Sequence, residues 1–214
     1  MLAYQLLRNH AGILLCGDYL TLKALHDAVH EVNERSPIIQ DKEGSFLALA
    51  YDARMAYERK RRVITPPEHT PEIGIRFGVE ILWPVLVVQA RMLRTSLGYI
   101  DSSKQQQAIT YALESVIEEA INEDFGEKAL SIREQWGRLD PAHPSIEERL
   151  DSRGAQFCAW TKAERKAKLA GLLASFDPMY ENLYPHWVAS GAVDLVAPDE
   201  LASFSGTEWK DPRW

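Results

Sequence analysis

The sequence predicts an α+β protein, a small antiparallel sheet with a predominantly helical bundle around a buried central helix. Three observations carry that expectation. The N-terminus alternates Leu2, Tyr4 and Leu6 with smaller or polar residues, turns at Arg8-Asn-His-Ala-Gly12 and returns as Ile13-Leu-Leu-Cys16, the pattern of a β-hairpin. Residues of about 82–97 are apolar on nearly every side, as a helix at the centre of a domain is. Almost everything after Ser102 follows helical spacing.

Taken in order, Gly17-Asp18 breaks the second strand, and the Asp18 carboxylate is placed to cap a helix. Leu22, Leu25, Val29 and Val32 give that helix its apolar stripe, and Pro37 lies past its end. A second helix is expected over residues 45–62, with Phe46, Leu49, Ala50, Ala53 and Tyr57 on one face and its end in the run Arg59-Lys-Arg-Arg62. Pro66-Pro67 and Pro71 mark a loop. Ile73, Ile75, Phe77 and Val79 then alternate with Gly74, Arg76 and Gly78, which predicts a third strand.

Beyond the central helix, Ser102 or Ser103 starts a long helix with the stripe Ile109, Ala112, Leu113, Val116, Ile117, Ala120 and Ile121, closed by Gly126. Asp140-Pro-Ala-His-Pro-Ser145 reads as a linker, dividing a core domain of residues 1–139 from a helical C-terminal extension of residues 140–214 packed on it. Within the extension Thr161-Lys-Ala-Glu164 is a capping box, and Asp177-Pro178 is an N-cap with proline at the first helical position. Gly206 to Trp214 is expected to be a loosely held tail.

Composition narrows the function classes. With 46% hydrophobic and 26% charged residues the chain is in the ordinary globular range. The net charge of −7 falls mostly on residues 108–214, which carry 11 Lys+Arg against 19 Asp+Glu, while residues 1–107 carry 13 against 12. Such a balance gives no general attraction for nucleic acid. Cys16 and Cys158 match no metal or redox spacing and read as reduced thiols of a cytoplasmic protein. The N-terminus lacks the charged and apolar regions of a signal peptide. The longest apolar run, Ile81 to Val88, spans eight residues including Pro84, against the roughly 20 a membrane span needs.

Candidate site residues gather in a few places. His26 and His30 lie four apart, the spacing by which zinc-binding helices present two imidazoles. Asp27 after the first histidine imitates a metalloprotease pattern, though aspartate is a methylene too short for the general base. Tyr51, Met55 and Glu58 are expected to face away from the apolar stripe that includes Tyr57 and to meet another surface, and Arg54, Glu58 and Arg62 form a ladder at helical spacing. Asp52 is the expected counter-charge for Arg91 or Arg94 of the central helix, since a buried guanidinium is rarely left unpaired. Glu80, just before Trp83, is a candidate pocket carboxylate. Arg59, Lys60, Arg61 and Arg62 could bind phosphates, but no aromatic residues interleave with them as a nucleic-acid platform requires. Lys162, Arg165, Lys166 and Lys168 form a second basic cluster. Glu114 and Glu118 read as a solvated helix face.

Several of these motifs recur together. Arg8-Asn9 with Gly12-Ile13, Gly17-Asp18-Tyr19, Leu25-His-Asp-Ala-Val-His30, Tyr51-Asp52 and Arg54 with Ala56-Tyr57, and Val79-Glu-Ile-Leu-Trp-Pro84 resemble an uncharacterised bacterial family, a domain of unknown function, over roughly residues 1–125. The resemblance implies a single N-terminal unit and no activity, cofactor or catalytic residue. Where members of that family turn shortly after the tyrosine of the first box, this chain has Glu58 and four basic residues.

The expected function is that of a cytoplasmic accessory protein without its own catalysis or cofactor, binding a protein partner or a second copy through the surface around Tyr51, Met55, Glu58 and Arg62. Six tryptophans, Trp209 and Trp214 near the end, support this, because an aromatic tail must pack on its own domain or on a neighbour. The alternatives are a metal-dependent hydrolase built on His26 and His30, and a phosphate or nucleic-acid binder using Arg59 to Arg62.

Overall fold

A computed structural model describes residues 1–212; Trp214 of the expected aromatic tail lies outside them. The order of elements is β1 (Ala3–Leu6), β2 (Gly12–Gly17), α1 (Tyr19–Arg35), α2 (Ser45–Tyr57), β3 (Arg62–Ile64), β4 (Arg76–Leu82), α3 (Trp83–Ser96), α4 (Lys104–Phe125), α5 (Ala129–Arg138), α6 (Ile146–Ala159), α7 (Lys162–Ala174), α8 (Tyr180–Ala189) and α9 (Pro198–Ala202). The fold is α+β and helix-dominated. Its four strands form one antiparallel sheet in the order β1-β2-β4-β3.

Strand register sorts the side chains by face. Leu6 pairs with Ile13, Ile13 with Ile81, and Leu15 with Val79. Those residues, with Phe77, point into the helical core. The opposite face carries Leu14 against Glu80 and Cys16 against Gly78, because successive residues of a strand alternate. Gly12 leaves room for the Ile81 carbonyl of β4, which a β-carbon would meet at 2.0 Å.

The helices follow from local signals. Asp18 caps α1 by accepting the Thr21 amide at 2.9 Å, and Leu22, Leu25, Val29 and Val32 are all buried. Ser103 and Gln106 close a capping box at the start of α4, and Thr161 and Glu164 another at α7. The central helix α3 is buried over most of its length, with the Trp136 indole of α5 donating to its Val87 carbonyl at 2.9 Å. The buried apolar side chains form one core running from Leu2 to Leu201.

Four expectations need correction. Helix α2 ends at Tyr57, not in the basic run, because Arg59 takes a left-handed backbone (φ 63°) and Lys60 closes back onto the Met55 carbonyl at 2.9 Å. Arg62 then opens the unexpected edge strand β3. Strand β4 begins at Arg76, since Ile73 sits in a 3-10 turn that Gly74 ends at φ 72°. The C-terminal segment is docked rather than loose: the Trp209 indole donates to Asp151 at 3.0 Å and its ring fills the space beside Gly154. Asp177 caps no helix directly; it accepts the Met179 amide at 2.7 Å, one turn before α8 begins.

Candidate functional site

Helices α1 and α2 lie against each other, and their outer surface brings together residues from the histidine pair and the tyrosine box. The Tyr57 ring, at the end of α2, meets Tyr19 edge-on at 5.2 Å and His26 at 6.0 Å. His26 and His30 are 4.5 Å apart. On the neighbouring turn of α2, Arg54 lies over the Tyr51 ring at 5.5 Å. Met55 is half-buried, and Tyr51 is 45% exposed. A strip of aromatic and imidazole rings therefore runs along the surface, edged by charges of both signs.

Those charges are locally paired. Lys23 reaches Asp27 at 2.5 Å, Asp27 also bonds the His26 Nδ1 at 2.9 Å, and Lys60 reaches Glu58 at 2.8 Å. Burial alone would raise the Asp27 carboxyl, but the bonds from Lys23 and His26 hold it below its ordinary range. The contact from Lys60 holds Glu58 low as well. His30 is shifted down, first by burial and then by the nearby His26 and Arg54.

For a metal, the pair offers two imidazoles and no more. Among the described residues no group of three histidine, cysteine or acidic side chains converges on a metal-sized point. The nearest acid, Asp27, already bonds His26.

The remaining candidates are dispersed into the framework. Arg62 is not part of a ladder with Arg54 and Glu58; it pairs across the sheet with Glu80 at 3.2 Å. Of the old ladder only Arg54–Glu58 persists, at 4.0 Å. Asp52 faces neither Arg91 nor Arg94 and meets Arg61 at 3.3 Å. Arg91 donates to the Leu139 carbonyl at 3.2 Å. Arg94 is bound by both oxygens of Glu114, which is therefore not a solvated acid. Arg59 lies over the Phe77 ring at 5.9 Å. Lys60, Arg61 and Arg62 of the basic run thus carry their own counter-charges, which weakens it as an anion site.

Sequence reasoning missed a part-buried polar cluster at the other end of the sheet. Asp124, in the last turn of α4, accepts from His10 Nδ1 at 2.8 Å and from the Trp83 indole at 3.0 Å. His10 follows Asn9 through two left-handed residues, φ 60° and 52°, and its ring packs on Phe125 at 5.6 Å. One signal was available. An acidic residue in the last turn of a helix opposes the helix dipole, so Asp124 needed partners.

A family model described as a domain of unknown function (DUF6904) matches residues 2–212. The chain belongs to that family. The match runs well past residue 125, where the resemblance in the motifs ended. No match is found among curated proteins or among solved structures. Among the described residues no helix is long and apolar enough to cross a membrane.

Proposed function

We propose that this member of the family is a non-catalytic, cytoplasmic protein-binding module that pairs with a second copy of itself through the outer face of α1 and α2. The observation that carries this reading is the partly exposed ring strip Tyr19–Tyr57–His26–His30, with Arg54 over Tyr51 beside it. Tyrosine, methionine and arginine are the side chains enriched where interfaces bury most of their energy.

A second copy fits the charge pattern. In a two-fold contact a patch meets itself, so a face of one sign would repel. This face interleaves Lys23, Arg54 and Lys60 with Asp27 and Glu58, and cations of one copy can oppose acids of the other. Buried thiols at Cys16 and Cys158 suit a reducing compartment.

Sedimentation across a wide concentration range tests the reading. A dimer forming at low micromolar concentration is expected, abolished by Arg54→Glu and weakened by Tyr51→Ala. A strict monomer at the highest concentration reached would overturn it.

A further inference from the structure

A polar cavity of about 710 Å³ opens where α6 ends and α7 begins. Asn9 from the turn between β1 and β2, Trp160 and Lys162 at the helix junction, Arg165 one turn into α7, and Lys210 and Asp211 from the C-terminal segment line it. We propose that this cavity binds a small molecule bearing a phosphate group, with the phosphate held by Arg165, Lys162 and Lys210 over the first turn of α7.

The argument starts with Arg165. Of the basic cluster that the sequence places here, this residue alone turns inward, and it is 2% exposed. Its guanidinium donates from Nε to the Phe157 carbonyl at 3.1 Å, and from Nη2 to the carbonyls of Cys158 at 3.1 Å and Pro212 at 2.9 Å. Those acceptors are neutral. Among the described residues no carboxylate pairs with it, and burial pulls its proton affinity below the ordinary arginine range. A buried cation held by carbonyl oxygens keeps much of its desolvation cost, and an anion in the adjoining cavity would offset it.

The other walls fit the same ligand. Lys162 and Lys210 are exposed at the mouth. Thr161 and Glu164 satisfy each other in the capping box, which leaves the first-turn amides of Lys162 and Ala163 for an anion. Among the described residues of the lining, Arg165, Lys162 and Lys210 stand beside the acid Asp211, a balance suited to a phosphate dianion. Cys158 adds no charge, because burial pushes its thiol up to about 11. Trp160 is buried at the cavity wall, and its indole N–H has no acceptor among the described residues. The wall carrying Lys210 is held by the docking of neighbouring Trp209 on Asp151 and Gly154.

Calorimetric titration of the full chain with inorganic phosphate, and separately with phenyl phosphate, tests this. Saturable binding is expected, weakened about tenfold or more when Lys162→Gln and Lys210→Gln remove two charge-assisted contacts. Both lysines are exposed, so the variant should melt where the parent does. Lys166→Gln, on α7 but outside the cavity, should leave the affinity unchanged. Absence of saturable binding by either probe would overturn the proposal. Equal weakening by Lys166→Gln would do the same, as diffuse charge, and so would loss of binding only when Arg59 to Arg62 are replaced.

Discussion

His10 and Asp124 stand 114 positions apart and are joined by a 2.8 Å contact between imidazole Nδ1 and carboxylate oxygen. The second oxygen of Asp124 takes the Trp83 indole, so one carboxylate ties the turn between β1 and β2, the start of α3 and the end of α4. Replacing it with alanine strands a buried indole N–H and an imidazole nitrogen together. Asp124→Ala is expected to cost about 2–4 kcal/mol, read as a lower urea midpoint with an unchanged slope. Asp124→Asn retains an acceptor and should recover part of that loss. A cost within error of zero would mean that water replaces both bonds.

How legible these features were follows from the range of the forces involved. Leu22, Leu25, Val29 and Val32 announce α1 because helical burial repeats over a few residues, and the stripe from Ile109 to Ile121 announces α4 for the same reason. Strand β3 has only Arg62, Val63 and Ile64, too short for an alternation, and exists because β4 supplies its partners. The misplaced end of α2 follows from that pairing: Arg62 is drawn to Glu80 on the neighbouring strand rather than to Glu58, just past the end of α2. Tyr57 was legible as part of a stripe, but its meeting with Tyr19 and His26 depends on how two helices cross.

Arg94 illustrates a pair that composition anticipates and spacing cannot assign. Its guanidinium grips Glu114 of α4 with two nitrogens and lies 3.8 Å from the centre of the Tyr111 ring. The bond to Glu114 also raises its proton affinity. Both partners are mostly shielded, with side chains 22% and 21% exposed. Arg94→Ala should destabilise by about 1–3 kcal/mol. A double-mutant cycle with Glu114→Gln should return a coupling that persists in salt, whereas an exposed pair would be screened. Purely additive effects would assign the loss to Tyr111 packing instead.

The surroundings of His30 set the sign of a pH dependence in stability. Burial, then His26 and Arg54, hold its pKa below the ordinary value, while Glu34 and Asp27 pull the other way. The unfolded chain therefore binds this proton more readily than the folded one, so stability falls as pH drops below about 6.5. Urea midpoints measured from neutral to mildly acidic pH should decline, and His30→Gln should flatten that decline. An identical slope in the variant would place the titration elsewhere.

The docked C-terminal segment depends on a missing β-carbon. At Gly154 in α6 an added methyl would lie 2.1 Å from the Trp209 ring, a distance no packing tolerates. Gly154→Ala should therefore leave α6 formed, since alanine favours helix over glycine by about 1 kcal/mol, while expelling Trp209 and breaking its bond to Asp151. Limited proteolysis should then cut after residue 203 at concentrations that spare the parent, with little change in helical circular dichroism. Pro212 would leave Arg165 in the same event, because its carbonyl is one of the three that the guanidinium uses. If the protease pattern is unchanged, the segment is held chiefly by that arginine, and Arg165→Lys should release it where Gly154→Ala does not.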